Sequence, residues 1–216
     1  MKRTLKSNHL FFSKTDFRTI NPLDKDASGV IPRKIINCMI FLYMKRDITL
    51  CKENKNRIAS KYYTLDVQLE SIKHADTVKL CSNHQLLFPM TYTNEQHTAY
   101  CLVVAFPARK EILFFNMDNR LLNEEIKSNL CNDVKEFINN ENEYHNEEKI
   151  NWKNVLTPVN NWEKLPTITN VNDSSLLLLK TIDFLSDSLP FDFDQISFKS
   201  FRNSITISLR HQQIPY

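Results

Sequence analysis

Residues 166–179 read PTITNVNDSSLLLL, a polar segment that ends in two serines and continues directly into four leucines. Asp173 suits the N-cap position of a helix, because its short carboxylate can accept hydrogen bonds from the first free backbone N–H groups. Four consecutive leucines leave no polar face for water, so the helix that follows is expected to be buried. The sequence therefore predicts a core helix from Ser174 to about Ser188.

Three short apolar runs upstream predict the strands of a sheet that this helix covers. They span residues 86–90, 102–106 and 112–115. The last two are separated by Pro107-Ala108-Arg109-Lys110-Glu111, which predicts a hairpin. Each run is apolar without alternation, and this pattern is typical of strands that are covered on both faces. A further strand is expected over residues 152–159.

Helical periodicity predicts three more helices around these strands. The first follows Pro32 and carries apolar residues from Ile35 to Tyr43, and the second covers about residues 120–140. The third contains Phe198, Phe201 and Ile205. The polar residues 139–149 are expected to form a surface loop. This order of elements predicts an α+β fold with a central, mostly antiparallel sheet flanked by helices.

The composition excludes several classes of protein. Glycine occurs once, at Gly29, so a glycine-rich phosphate loop is impossible and nucleotide-dependent chemistry of the common kinds is not expected. The net charge of +3 gives no reason to expect nucleic acid as a partner. The six histidines and five cysteines are scattered without metal-ligand spacing, so we expect no metal and no cofactor.

The cysteines also bear on the compartment. Their number is odd and no two form a C-x-x-C pair, which indicates reduced thiols inside the cell. We expect the cytoplasm or nucleus, with an organelle as the alternative, because residues 1–14 are basic and weakly resemble a targeting presequence. No apolar run reaches the length of about 18 residues that a membrane span needs.

The chain length fits one domain, and no internal repeat or linker divides it. We expect residues 1–25 to form a basic N-terminal arm and residues 26–216 a single domain. The arm carries the apolar pair Phe11-Phe12, which would order the arm against a partner protein if the pair were buried there. The alternative is that the arm and the tail at Ile214-Pro215-Tyr216 fold back on their own domain.

The segment quoted first resembles the active-site motif of the deSUMOylating cysteine proteases, the proteases specific for sentrin and other ubiquitin-like proteins. That family reads Pro-x-Gln-x-Asn-x-x-Asp-Cys-Gly before a buried helix, and Pro166, Asn170 and Asp173 match it. Shorter matches keep the family's order: Ile31 to Asn37 resembles its opening motif, Phe88-Pro89 precedes the histidine strand, and closing motifs follow. Those closing matches are Phe193-Asp194-Gln195 and Phe201-Arg202. The resemblance implies a papain-like fold in which Ser174 begins the buried helix.

The same alignment implies that the catalytic atoms are lost. The family's nucleophilic cysteine becomes Ser174, its oxyanion-binding glutamine Ile168, its histidine Ala99 and its aspartate Asn116. Alanine cannot accept a proton, and the isoleucine side chain has no hydrogen-bond donor for an oxyanion. The family's glycine after the cysteine becomes Ser175.

A different triad is an open alternative. His97 lies two residues before Ala99, and Asp118 lies two residues after Asn116. Side chains two residues apart share a face of a strand, so His97 and Asp118 would serve as base and orienting carboxylate for a nucleophilic Ser174. This arrangement requires a shift of about 6.6 Å along an extended strand and leaves the lost glutamine unexplained.

Substrate recognition changes as well. The tryptophan that helps enclose the Gly-Gly tail of the modifier in this family becomes Tyr100, which can still stack. An opening tryptophan and an acidic residue become Val30 and Arg33. An arginine of the modifier that pairs with that acidic residue would meet like charge at Arg33.

These observations favour a protein without enzymatic activity. The main hypothesis is a protease-like domain that serves as a protein-interaction or structural subunit of a larger assembly. The second is a hydrolase of ubiquitin-like protein conjugates that uses Ser174, His97 and Asp118. The third is a non-catalytic reader of a ubiquitin-like protein. Protein partners are expected in each case, and a membrane span in none.

Overall fold

The structure is a computed structural model of the 216-residue chain. It describes residues 12, 14–20, 30–69, 72, 80–93, 98–117, 123–156, 165, 168, 171–189, 191–192 and 196–212.

A five-stranded mixed sheet forms the centre, with its strands in chain order. The central pairs, β2 with β3 and β3 with β4, are antiparallel. Each of the two short edge strands is parallel to its neighbour, β1 to β2 and β5 to β4. The predicted α+β class with a mostly antiparallel sheet is therefore confirmed. The strands are β1 (Lys61–Tyr62), β2 (Leu86–Thr93), β3 (Thr98–Phe106), β4 (Glu111–Asn116) and β5 (Lys153–Val155).

Helices cover both faces of the sheet. The first face is covered by α2, α4 and α5, the second face by α3, and α1 packs against α5. The helices are α1 (Lys14–Ile20), α2 (Arg33–Glu53), α3 (Glu124–Tyr144), α4 (Ser174–Ser186) and α5 (Ile196–His211).

The strands bury both of their faces, as their unbroken apolar runs predict. Along β3, Leu102 and Val104 pack into the core beneath α4, whereas Val103 and Ala105 pack into the core beneath α3. This alternation follows from the two-residue period of a strand. The predicted hairpin is also present: β3 and β4 are joined by a 3₁₀ turn at Pro107–Arg109 and by Lys110, whose φ of 53° is left-handed.

Helix α4 begins at Ser174 as predicted, and each of its four leucines is at most 1% exposed. Its end differs from the prediction, because the helix stops at Ser186 and Ser188 has a left-handed φ of 55°. Asp173 occupies the N-cap position but makes no side-chain capping bond there. Its carboxylate binds an arginine of α5 instead, as described below.

The predicted loop over residues 139–149 is wrong in its first half. Helix α3 continues to Tyr144. Its last turns are stabilised because some of their side chains are buried and others bind the segment that follows the helix. Glu141 and Asn142 are buried, and the Asn139 amide oxygen accepts hydrogen bonds from the Ile150 N–H at 3.0 Å and the Trp152 indole N–H at 3.1 Å. The polar composition of residues 139–149 does not indicate these tertiary contacts, so the sequence predicts a loop. Strand β5 covers Lys153–Val155, and residues 157–159 of the predicted strand lie outside the described residues.

Part of the predicted N-terminal arm packs on its own domain. Ile20, at the end of α1, is fully buried, and its carbonyl accepts a 2.9 Å hydrogen bond from Arg202. The Phe17 ring lies 5.3 Å from the Arg210 guanidinium of α5, and the Phe12 ring lies 5.2 Å from the Lys34 amine of α2. These contacts favour the alternative in which the arm folds back. Residues 1–11 and the tail residues 213–216 lie outside the described part of the chain.

All five cysteines are free thiols. Cys101 and Cys131 are buried in the core beneath α3. Burial raises the pKa of both Cys101 and Cys131 to about 12. Burial also raises the pKa of Cys51, but this residue is partly exposed on α2. None of the described helices is long and apolar enough to cross a membrane.

We expect iodoacetamide at about pH 8 to alkylate Cys51 before Cys101 and Cys131 in the folded protein. A thiol with a pKa of about 12 is ionised in only about one molecule in ten thousand at that pH, and only the thiolate reacts. Peptide mass spectrometry before and after denaturation measures the order. Native labelling of Cys101 as fast as Cys51 would contradict the packing of β3.

Candidate functional site

The N-terminal end of α4 lies at the end of the sheet where β3 begins and β4 ends. Two contacts fix the direction of the helix. The Gln85 amide, just before β2, donates a 2.8 Å hydrogen bond to the Leu185 carbonyl, which places the last turn of α4 at the opposite end of the sheet. Thr181 lies midway, with its hydroxyl 3.9 Å from the sulfur of Met117, the residue that follows β4. The fold thus places Ser174 at the same end of the sheet as Ala99 and Asn116.

Ser174 and Ser175 are both buried at the first turn of α4, at 2% and 0% exposure. A 3₁₀ turn at Val171–Asp173 leads into them. The Ser175 hydroxyl oxygen accepts a 3.1 Å hydrogen bond from the backbone N–H of Ile31, just before α2. A glycine at position 175, as in the family motif, has no side chain with which to accept this bond. The serine therefore ties the first turn of α4 to the segment that opens the domain.

Asp173 ties the same turn to the C-terminal helix. Its carboxylate lies 2.8 Å from the guanidinium of Arg202, and another nitrogen of that guanidinium donates to the Ile20 carbonyl at 2.9 Å. Both charged side chains are mostly buried. One arginine thus joins α4, α5 and α1. The sequence gives Arg202 only as part of a short family match, because its partners are distant in the chain.

The other three aligned positions lie in the sheet and in the segment before α4. The Ala99 backbone pairs with Tyr92 across the β2–β3 ladder. Asn116 is the last residue of β4, pairs with Cys101 and is partly exposed. Ile168 is partly buried and packs against the apolar core beneath α4. An apolar side chain therefore packs at the position where the family motif has its oxyanion donor.

The alternative triad cannot be placed, because His97 and Asp118 lie outside the described residues. The three histidines that the structure does describe lie elsewhere. His84 precedes β2 at the opposite end of the sheet, His145 follows α3, and His211 ends α5. The triad of Ser174, His97 and Asp118 remains a prediction.

Two residues that the sequence linked to substrate recognition lie beside Asp66. Arg33 donates a 2.9 Å hydrogen bond to the Leu65 carbonyl, and its guanidinium lies 3.8 Å from the Asp66 carboxylate, with 61% of the side chain exposed. Asp66 accepts a hydrogen bond from the Thr91 hydroxyl at 2.8 Å. Burial, and then the negative charge of Asp66, raise the pKa of Tyr100. The charge of Arg33 is therefore partly balanced within the domain.

Among the described residues of α4, the group that could react at this end of the sheet is a hydroxyl at a helix N-terminus. The thiols lie in α2, β3, α3 and the turn before β2, so none is on α4. Among the described residues, no group of three or more histidine, cysteine or acidic side chains could hold a metal ion. A serine hydroxyl is a weak nucleophile unless a base activates it.

The arrangement of a buried helix against an antiparallel sheet, with the motif at its first turn, is the fold of the deSUMOylating cysteine proteases. The C-terminal protease domain of Ulp1, in complex with Smt3, the yeast ortholog of SUMO, aligns with a TM-score of 0.67 and 14% identity. That alignment covers 90% of this chain and 80% of the Ulp1 domain. The predicted papain-like protease fold is thereby confirmed.

Two further structures agree. Ulp1 with its catalytic cysteine oxidised to a sulfinic acid aligns over 97% of this chain and 88% of its own, with a TM-score of 0.67 and 14% identity. The Ulp1-like SUMO protease catalytic domain of Chaetomium thermophilum aligns over 87% and 74%, with a TM-score of 0.61 and 16% identity. No family model and no curated protein matches the chain by sequence. The likeness to SUMO proteases is one of fold.

We expect the substitution Ser175→Ala to lower the free energy of unfolding by about 1–3 kcal/mol, because it leaves the buried Ile31 N–H without its acceptor. Urea denaturation measures the change. The matched control is Ser200→Ala on the exposed side of α5, which should stay within about 0.5 kcal/mol of the wild type. Equal effects of the two substitutions would show that the Ser175 bond contributes nothing.

Proposed function

We propose that this chain is a catalytically inactive domain of the deSUMOylating protease fold, retained as a protein-interaction or structural subunit of a larger assembly. The observation that carries the proposal is that one side chain in the first turn of α4 and one in the segment before it make packing contacts. Ser175 binds the Ile31 backbone, and Ile168 packs against the core. These two contacts stabilise the fold at positions where the family motif has a glycine and a glutamine.

The energetics of catalysis support the same proposal. General acid–base catalysis contributes about 10²–10⁴-fold, and one oxyanion donor contributes about 10²–10³-fold. Ala99 offers no proton acceptor and Ile168 no donor. The fold itself requires only that apolar side chains fill the core on each face of the sheet, and they do so in both cores. A domain can therefore keep this fold while it loses the chemistry.

A ubiquitin-like protein is one candidate partner. Ulp1 has been seen in complex with Smt3, and the chain described here shares the fold of that domain. Tyr100 lies near the end of the sheet at which α4 begins, and 8% of this residue is exposed. A non-catalytic reader of a ubiquitin-like protein would use this end of the molecule.

The test of inactivity is an assay with fluorogenic C-terminal derivatives of SUMO and ubiquitin, together with an electrophilic probe built on the same C-termini. We expect no turnover above background and no labelling of Ser174. The control is the Ser174→Ala variant, which should be indistinguishable from the wild type. Turnover that is lost in Ser174→Ala and in His97→Ala would instead establish the serine hydrolase with the alternative triad.

The test of a binding role is affinity purification of the tagged chain, followed by quantitative mass spectrometry. We expect stoichiometric protein partners that remain with the Ser174→Ala variant. The same experiment separates a reader from a structural subunit, because a reader co-purifies with a ubiquitin-like protein. A chain that runs alone and monomeric in its native extract would contradict the proposal.

A further inference from the structure

An open groove of about 870 Å³ lies on the side of the sheet that α3 covers, away from Ser174. One wall is the segment after β1 together with the middle of β2, and the other wall is the outer side of α3. Its volume falls within the range of about 300–1,000 Å³ that is typical of binding pockets. The lining residues are Asp66, Val67, Gln68, Leu69, Met90 and Thr91 on the first wall and Leu130, Asp133, Glu136, Phe137, Asn140 and Glu141 on the second.

The charge of this groove is opposite to that of the chain. Four of the lining residues are acidic and none of the described lining residues is basic, although the chain as a whole has a net charge of +3. Asp133 and Glu136 stand exposed on α3. Asp66, on the facing wall, is paired with Arg33. The two exposed carboxylates of α3 give the α3 wall a negative charge, and a concave surface concentrates the potential of such charges.

The groove also exposes apolar side chains. Val67, Leu69 and Leu130 are partly buried side chains that pack at the edge of the α3-side core, and Phe137 lies deeper. Phe137 packs edge-to-face on Tyr63 in the same core, with ring centroids 6.0 Å apart. Burial, and then the charge of Glu141, raise the pKa of Tyr63. The groove therefore offers aliphatic and aromatic side chains beside its carboxylates.

We propose that this groove binds a short segment of a partner protein that combines lysine or arginine with aliphatic side chains. The cationic groups would face Asp133 and Glu136, and the aliphatic groups would contact Leu69, Leu130 and Phe137. Nucleic acids and anionic lipid surfaces do not fit, because their phosphates would be repelled by the same carboxylates. A bound metal ion does not fit either, since these described carboxylates are not grouped as metal ligands.

This inference rests on the proposed function, because it names the partner chemistry of a binding subunit, yet it can fail separately. The groove and Ser174 lie on opposite sides of the sheet. Turnover at Ser174 would overturn the proposed function and leave peptide binding in the groove unaffected. Absence of peptide binding would overturn the inference and leave the assay for catalysis unaffected.

The test uses the full chain and a short fluorescein-labelled peptide in which lysine and leucine are separated by serine. Its control is the same peptide with glutamate in place of lysine. Fluorescence anisotropy at an ionic strength of about 0.15 M reads the affinity. We expect the lysine peptide to bind and the glutamate peptide not to bind.

The decisive variant is Asp133→Lys with Glu136→Lys, which reverses two exposed charges on α3. We expect it to weaken binding by about tenfold or more, because like charges then face each other. The matched control is Glu143→Lys with Glu148→Lys, which changes the net charge equally at exposed positions outside the groove lining and should leave the affinity within about twofold. Thermal denaturation verifies that both variants fold.

Three results would overturn the proposal. The first is that no lysine peptide binds, and the second is that both double variants weaken binding equally. The third is that binding appears only after deletion of residues 1–11, which would make the chain's own basic segment the occupant. A photoreactive leucine in the peptide independently identifies the residues that the bound peptide contacts. Cross-links to Leu69, Met90 or Leu130 support the proposal, and cross-links confined to α2 or α5 contradict it.

Discussion

Replacing Asp47 by alanine is expected to lower the free energy of unfolding by about 3 kcal/mol. Asp47 lies on α2 with 1% exposure. One of its carboxylate oxygens is 2.9 Å and 3.0 Å from two guanidinium nitrogens of Arg57, and the other accepts a 2.8 Å hydrogen bond from the Ser60 N–H. The substitution leaves a mostly buried cation and a backbone donor without their acceptor. Breaking a buried ion pair typically costs about 3–5 kcal/mol, and the lower end applies because Arg57 keeps Asp187 as a partner.

Chemical denaturation measures this effect, and an exposed ion pair provides the control. Glu143 and Lys149 form a pair at 2.9 Å, with more than half of each side chain exposed. Glu143→Ala should therefore cost less than about 1 kcal/mol. A loss at Asp47 no larger than the loss at Glu143 would show that the network around Arg57 does not hold α2 to the residues that follow it.

The second large effect is expected for Leu178→Ala in α4, at about 2–5 kcal/mol. Leu178 is fully buried in the core shared by α2, α4, α5 and the sheet. Its truncation removes apolar contacts and leaves a cavity that surrounding elements can close only in part. The unfolding free energy from urea titration tests the central feature of the fold.

The control for Leu178 is Ile207→Ala on α5, where the side chain is 49% exposed. That substitution should change stability by about 1 kcal/mol at most, because exposed apolar groups gain little from folding. If the two substitutions cost the same, α4 would not be the buried helix against which the sheet packs.

Local patterns in the sequence predict the elements that are fixed by local causes. The start of α4 at Ser174, the hairpin at Pro107–Arg109 and the two-sided burial of β3 all follow from short runs of residues. The end of α3 does not, because Asn139 acts through Ile150 and Trp152, and polar composition there is equally compatible with a loop. Sequence periodicity predicts local geometry and burial, but it does not predict which residues a polar side chain binds.

The candidate site divides in the same way. Ser174, Ala99, Asn116 and Ile168 can be named from the family motif. The fold places the first three at one end of the sheet, and Ile168 packs against the core beneath α4. The bond from Ile31 to Ser175 joins residues 144 positions apart, and the Asp173–Arg202 pair joins residues 29 positions apart. Asp173 has the composition of an N-cap, and only the folded chain reveals that an arginine takes its carboxylate. The groove beside α3 has no sequence motif because its two walls come from separate segments.

The bond between Arg202 and the Ile20 carbonyl has a consequence for the synthesis of the protein. The two residues are 182 positions apart, so α1 leaves the ribosome long before α5 exists to receive it. At about 5–20 residues per second, the interval is roughly 9–36 seconds. During that time Phe17 and Ile20 lack the helix that packs against them in the folded protein. Helix α5 thus completes the packing of a helix that was translated long before it.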